Sequence, residues 1–126
     1  PMSRMKRVDI IARSEKLEDL KEALNSIGVQ GMTVTQVYGC GLQKGHVEFY
    51  RGREVTINLK PMVKVETVVC DVPVQLVMEK AREVLSTGKL GDGKIFVYDV
   101  EDAMRIRTGT TGTKAVTDDE IVEGEE

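Results

Sequence analysis

Tryptophan is absent from this chain of 126 residues, histidine occurs once, cysteine twice, and aromatic side chains make up only 4%. That shortage disfavours nucleic-acid modules that stack bases on exposed rings. A net charge of −3 gives no overall basic field, so general attraction to nucleic acid or to an anionic membrane is not expected. Cys40 and Cys70 have no CxxC spacing, which argues against a disulfide framework or a zinc knuckle and for two reduced thiols. No stretch approaches the roughly 20 consecutive apolar residues that a bilayer span demands, and the N-terminus lacks a signal-peptide apolar core. The expected location is therefore cytoplasmic. The lone histidine, His46, has no Ser, Cys or carboxylate in obvious register with it, so the catalytic inventory is thin.

What is present suits one soluble domain over residues 1–126, with 40% apolar and 31% charged residues. Val8, Ile10 and Ala12 alternate with polar residues, the period of a strand. Ser14 is placed to cap a helix that carries Leu17, Leu20, Leu24 and Ile27, and Gly28 stops it. Met32 to Tyr38 is rich in Val and Thr, the mark of a second strand. The pattern then recurs. Val63 to Cys70 alternates, Pro73 opens a helix lined by Val74, Val77, Ala81 and Val84, Gly88 ends it, and Ile95 to Val100 forms another strand. Two strand-helix-strand halves imply an α+β, ferredoxin-like βαββαβ sandwich with both helices on one face of the sheet. The domain core is expected over 5–115.

Between the halves lies a long loop, 39–60, of a length that compact domains keep only for function. Residues 117–126 (TDDEIVEGEE) are acidic and read as a solvated tail.

Three segments offer anion-binding chemistry. Gly88-Lys-Leu-Gly-Asp-Gly-Lys94 satisfies GxxxxGK, but Ile95 replaces the Ser or Thr of a Walker loop. The segment also leaves a helix and enters a strand, the reverse of a Walker loop's context. What remains is either a plain glycine-rich turn or a nest whose backbone N–H groups, with Lys89 and Lys94, cradle phosphate. Arg105-Ile-Arg107 is expected to alternate on a strand, pointing two guanidinium forks to one side. Gly39-Cys-Gly-Leu-Gln-Lys-Gly45 adds flexible backbone, the Gln43 amide and the Lys44 cation. Phe49 and Tyr50 mark either loop packing or a protein-docking surface.

With these segments in view, GMTVTQVYG (31–39), GCGLQKGHVEFYRG (39–52), TGKLGDGKIFVYDV (87–100) and the RIRTG that ends at Gly109 resemble the signature segments of the PII nitrogen-regulatory signal-transduction family, nearest its GlnK-like branch. The resemblance covers Met5 to Ala115. It implies a homotrimer with ATP or ADP as effector in each cleft between subunits, and a nucleotide sensor that is not an enzyme. By motif, Gly91, Asp92, Gly93 and Lys94 would surround the phosphates, and Arg105 and Arg107 would reach in from a neighbouring subunit. Thr33 and Val68 would lie near the adenine or ribose, and Gly39, Gly41, Leu42, Gln43 and Lys44 would line the cleft at the base of the long loop. Gln43 would help hold Mg between ATP and 2-oxoglutarate. The loop, called the T-loop in the family, would dock through His46, Phe49, Tyr50, Arg51, Arg53 and Glu54 onto targets such as an ammonium transporter, the one route to a membrane.

Three positions depart from the family pattern. Val55 stands where many members carry the tyrosine that is uridylylated, and Arg53 where cyanobacterial members carry a phosphorylatable serine, so both modifications are excluded. Met62 aligns with the lysine that pairs with the 2-oxoglutarate carboxylate, and a thioether supplies no charge, which leaves 2-oxoglutarate sensing open. The alternative to a sensor is a ferredoxin-like phosphotransferase using His46 as phosphoacceptor.

Overall fold

Alternation along the first strand sorts its side chains onto two faces, and the whole architecture follows from where those faces go. In the computed structural model, which describes residues 4–40, 48–50, 53–55 and 59–117, strand β1 spans Lys6–Arg13. Val8, Ile10 and Ala12 are fully buried, and Arg7, Asp9, Ile11 and Arg13 take the opposite face. Helix α1 (Leu17–Ser26) presents Leu20 and Leu24, one turn apart and fully buried, to the first of these faces. Helix α2 (Val74–Leu85) presents Val77, Ala81 and Leu85 at the same four-residue spacing. One cluster joins them to Val63, Val65 and Val69. Each large side chain so buried contributes about 1.5 to 3 kcal/mol of transfer free energy, which is why the spacing rather than helix propensity holds the helices in place.

Strands β2 (Thr33–Cys40), β5 (Leu59–Val69) and β6 (Gly93–Asp99) complete a four-stranded antiparallel sheet in the order β2-β5-β1-β6. The two helices lie on one face, as the halves of the sequence imply. A separate two-stranded hairpin, β3 (Glu48–Tyr50) with β4 (Arg53–Val55), is inserted between β2 and β5. The ladder between β2 and β5 continues to Cys40 opposite Leu59, so the expected loop of 39–60 begins and ends in paired strand. Pro61 is accommodated because β1 stops one residue earlier, at Arg13 opposite Met62, leaving one side of β5 unpaired there.

Ser14 does not cap α1. It opens a 3-10 turn, Ser14–Lys16, ahead of the helix, and its hydroxyl is buried with no hydrogen-bond partner among the described residues. The extended residue from which the helical segment starts is Arg13, whose side chain makes no capping bond, so Ser14 already lies inside the turn. At the other end of α1, the Ile27 and Gly28 amides donate back to Leu24 and Asn25, and Thr67 Oγ1 donates to the Gly31 carbonyl at 2.6 Å, fixing the approach to β2.

No helix among the described residues is long and apolar enough to cross a membrane.

Candidate functional site

Four strand ends meet at one end of the sheet. The register places Arg13 opposite Met62, Gly39 opposite Lys60 and Ala12 opposite Gly93. The Gly39 end of β2, the Lys60 end of β5 and the Gly93 end of β6 thus lie around the C-terminus of β1. Of the base-of-loop residues, Gly39 is in this group; Gly41, Leu42, Gln43, Lys44, His46 and Arg51, and with Gln43 the expected Mg position, fall outside the described residues. Phe49 and Tyr50 lie on β3, paired with Glu54 and Arg53 of β4.

The glycine-rich turn before β6 has a defined construction. Gly91 and Gly93 have φ of +92° and +121°. At Gly93 a Cβ would stand 1.8 Å from the Ile11 carbonyl oxygen, so only glycine fits. Asp92 is turned inward: its carboxylate accepts from the Thr87 N–H at 2.7 Å, the Gly88 N–H at 3.2 Å, the Thr87 hydroxyl and Arg13 Nε at 3.4 Å. Chiefly the two Thr87 hydrogen bonds, with help from Arg13 and Gly88 and against partial desolvation, hold its carboxyl down at about 2. Asp92 therefore shapes the turn and does not face a ligand as a free acid.

Arg13 was missed by the sequence reading. Its Nη2 donates to the Leu90 carbonyl at 2.8 Å, tying the turn to the end of β1. Lys60 was missed as well, and its Nζ lies 3.2 Å from where a Gly91 Cβ would be. No local motif marks either residue, since their roles arise from sheet register. Lys94, opposite Ile11, follows on the same helix-free face, and a cleft of about 420 Å³ lined by Ile11, Met78, Arg82, Asp92, Gly93 and Lys94 opens beside it.

Arg105 and Arg107 are not on a strand. Met104 makes an isolated bridge to Thr111, and between them the chain turns, closed by Arg105 N–H to the Thr110 carbonyl and Gly109 N–H to the Arg105 carbonyl. Gly109 at φ +73° and the Thr108–Thr110 hydroxyl contact of 2.7 Å supply the turn chemistry that overrides the alternation. The Arg105 guanidinium donates to the Ala115 carbonyl at 3.0 Å and to that of Thr117, beside a second cleft of about 750 Å³ that also includes Gly31, Val68 and Cys70.

Val68 lies opposite Arg7 and Gly93 opposite Ala12, so the two are five β1 residues apart, about 17 Å along the strand. Arg105 and Val68 share one end of the sheet, and Gly39, Lys60 and Gly91 to Lys94 share the other. Exposed Thr33, opposite Glu66, falls nearer the Val68 end. Within one chain Arg105 lines the cleft beside Val68 and not the one beside Gly93 and Lys94.

A family model described as nitrogen regulatory protein P-II matches residues 5–110. The chain is 49% identical over 112 residues to the nitrogen regulatory protein P-II of Rhizobium meliloti (strain 1021), and 47% identical over 112 residues to the nitrogen regulatory protein GlnK of Escherichia coli (strain K12). In both cases the match takes in 89% of this chain and 100% of the relative. A solved structure of a B. subtilis GlnK-ATP complex superposes with a TM-score of 0.77 at 44% identity, over 91% of this chain and 99% of that one. A matching backbone fold, a family match across most of the residues and near-half identity leave one assignment: this chain belongs to the nitrogen regulatory protein P-II family of signal-transduction proteins.

Proposed function

We propose that this chain senses adenine nucleotides, ATP or ADP, and passes their identity to a target protein through the segment between β2 and β5. The observation that carries the reading is the junction of two features at one end of the sheet. A glycine-rich turn with Arg13, Lys60 and Lys94 around it, a chemistry suited to phosphate, adjoins the Gly39–Lys60 pair from which that segment departs. A ligand on the turn thus touches the root of the loop, and any difference in contact between two nucleotides biases the loop's conformers. The B. subtilis GlnK solved with ATP supports the ligand class.

Oligomerisation completes the site in this reading. Arg105 stands at the far end of the sheet from Gly91 to Lys94, with Arg107 in the turn that follows it, and in this reading a neighbouring subunit supplies both. The helix-free face of the sheet, where Phe96 and Tyr98 are 43% and 45% exposed, offers the surface on which three copies pack. The Arg7 guanidinium lies over the Tyr98 ring at 4.3 Å and pairs with buried Asp9 at 3.0 Å, so these two charges on that face are already matched. Targets such as an ammonium transporter would meet the loop through His46, Phe49, Tyr50, Arg51, Arg53 and Glu54, and Mg at Gln43 would accompany ATP. Without the phenol that Val55 replaces, ligand occupancy alone would control the loop, with no uridylylation.

Calorimetric titration with ATP, ADP, and Mg-ATP plus 2-oxoglutarate tests the reading. Saturable binding of ATP or ADP without turnover is the expected result. Absence of binding, or a stable phosphate on His46 after incubation with ATP, returns the phosphotransferase.

A further inference from the structure

Lys60 and Met62 sit two residues apart on β5, opposite Gly39 and Val37, and so share the helix-free face of the sheet. They use that face differently. Met62 is buried, with its Cγ 3.4 Å from where a Gly39 Cβ would lie, and acts as packing under the loop root. Lys60 is half-buried and sends its ammonium across to the glycine-rich turn.

At Gly91 the Lys60 Nζ and the Arg13 Nη2 approach one point, the place of the missing Cβ, to 3.2 Å and 3.4 Å. The two cationic nitrogens are thus within about 7 Å of each other, where like charges repel unless an anion comes between them. Asp92 is the carboxylate within ion-pair reach of Arg13, and its oxygens are engaged by Thr87 and Gly88. No described carboxylate pairs with Lys60. Among the described residues the cluster keeps an excess positive charge around a gap that a side chain at residue 91 would fill.

We infer that Lys60 is a ligand-recognition residue that, with Arg13, grips an anionic oxygen group over Gly91, and that it supplies from one pleat earlier the cation that Met62 does not. The inference rests on the nucleotide reading above and adds a residue and a chemistry to it. The gripped group is a terminal phosphate of the nucleotide or the carboxylate of a separate small acid bound beside it. Both present two or three anionic oxygens of the size that two converging nitrogen donors hold. Arg13 is partly occupied by Leu90 and Asp92, so Lys60 is the member of the pair that can be altered without loosening the turn.

The test is calorimetry on the wild type, Lys60→Gln and Lys60→Arg, titrated with ATP alone and with Mg-ATP plus 2-oxoglutarate, alongside thermal unfolding of the ligand-free proteins. An ATP affinity about tenfold weaker in Lys60→Gln, with Lys60→Arg close to wild type and unfolding unchanged, assigns the phosphate. Unchanged ATP affinity with loss of the 2-oxoglutarate response assigns the carboxylate. Unaltered binding in both arms overturns the inference, as does an equal loss in Lys60→Arg or a lowered unfolding midpoint, either of which marks a structural role. A wild type that binds no nucleotide and no 2-oxoglutarate overturns the reading of the site itself, and the inference falls with it.

Discussion

The Arg13 guanidinium donates to the Leu90 carbonyl at 2.8 Å, so the last residue of the first strand carries a turn 77 residues further along the chain. That contact makes the turn a tertiary structure and not a local one. Its integrity can be read from the groups that build it.

Asp92 gives the first test. Its carboxyl is held at about 2, against an ordinary 3.8, so folding favours the ionised form. The stability it contributes is complete above pH 4 or so and is lost as pH falls toward about 2. An NMR titration should place the Asp92 midpoint near 2, and Thr87→Val should move it up, since the Thr87 hydroxyl is the largest cause. A wild-type midpoint near 3.8 would show that the turn is open in solution.

Gly93→Ala should be among the most damaging single-methyl changes in the chain. The added Cβ would meet the Ile11 carbonyl within a paired stretch of β1 and β6, at a φ of +121° that alanine avoids. A loss of about 3 kcal/mol or more is expected in urea unfolding. A loss under about 1 kcal/mol would mean that the strand pairing yields at this point.

Lys94→Ala and Arg107→Ala should each weaken ATP by about 1.5 to 3 kcal/mol, the range for a charge-assisted hydrogen bond to phosphate, whereas His46→Ala should leave it nearly intact. The Arg107 result discriminates most, because that residue belongs to the turn between Met104 and Thr111, where Arg105 lines the cleft beside Val68 and not the one beside Gly93 and Lys94. Wild-type affinity in Arg107→Ala would remove the neighbouring subunit from the site.

Light scattering in dilute buffer should give three times the 14.0 kDa chain mass. A monomer would leave Phe96 and Tyr98 without cover and the two ends of the sheet unable to cooperate on one ligand.

Target binding should follow the ATP/ADP ratio directly, and intact-mass measurement on cell-derived protein should find no nucleotidyl group. A tenfold change in target affinity requires about 1.4 kcal/mol of difference between the two ligands, within the reach of one contact to the γ-phosphate. A pull-down of an ammonium transporter that is indifferent to the nucleotide would refute this.

Much of the architecture is legible in the residues. The alternation of Val8, Ile10 and Ala12 and the four-residue spacing of Leu20 with Leu24 and of Val77 with Ala81 follow from burying one face or one stripe, and the structure realises both. The failures share a cause. Ser14 has the chemistry of a cap, but a 3-10 turn supplanted it, and Arg105 and Arg107 alternate in sequence while Gly109 and two threonine hydroxyls bend the backbone. In each case a local preference met a competing local geometry that displaced it. Arg13 and Lys60 were invisible for a different reason. What makes them important is the register that sets them beside Gly91, and register is a property of four strands together.

The ladder that ends at Cys40 opposite Leu59 has a consequence for inheritance. Because the sheet holds both ends of the intervening segment side by side, the core does not depend on what that segment contains. Residues between the two anchors can drift, lengthen or be exchanged among descendants with little cost to folding. The turn at Gly91 to Gly93 has no such freedom, since its backbone is wedged against β1. The family resemblance carried by residues 39–52 is therefore owed to what that segment does and not to any need of the core.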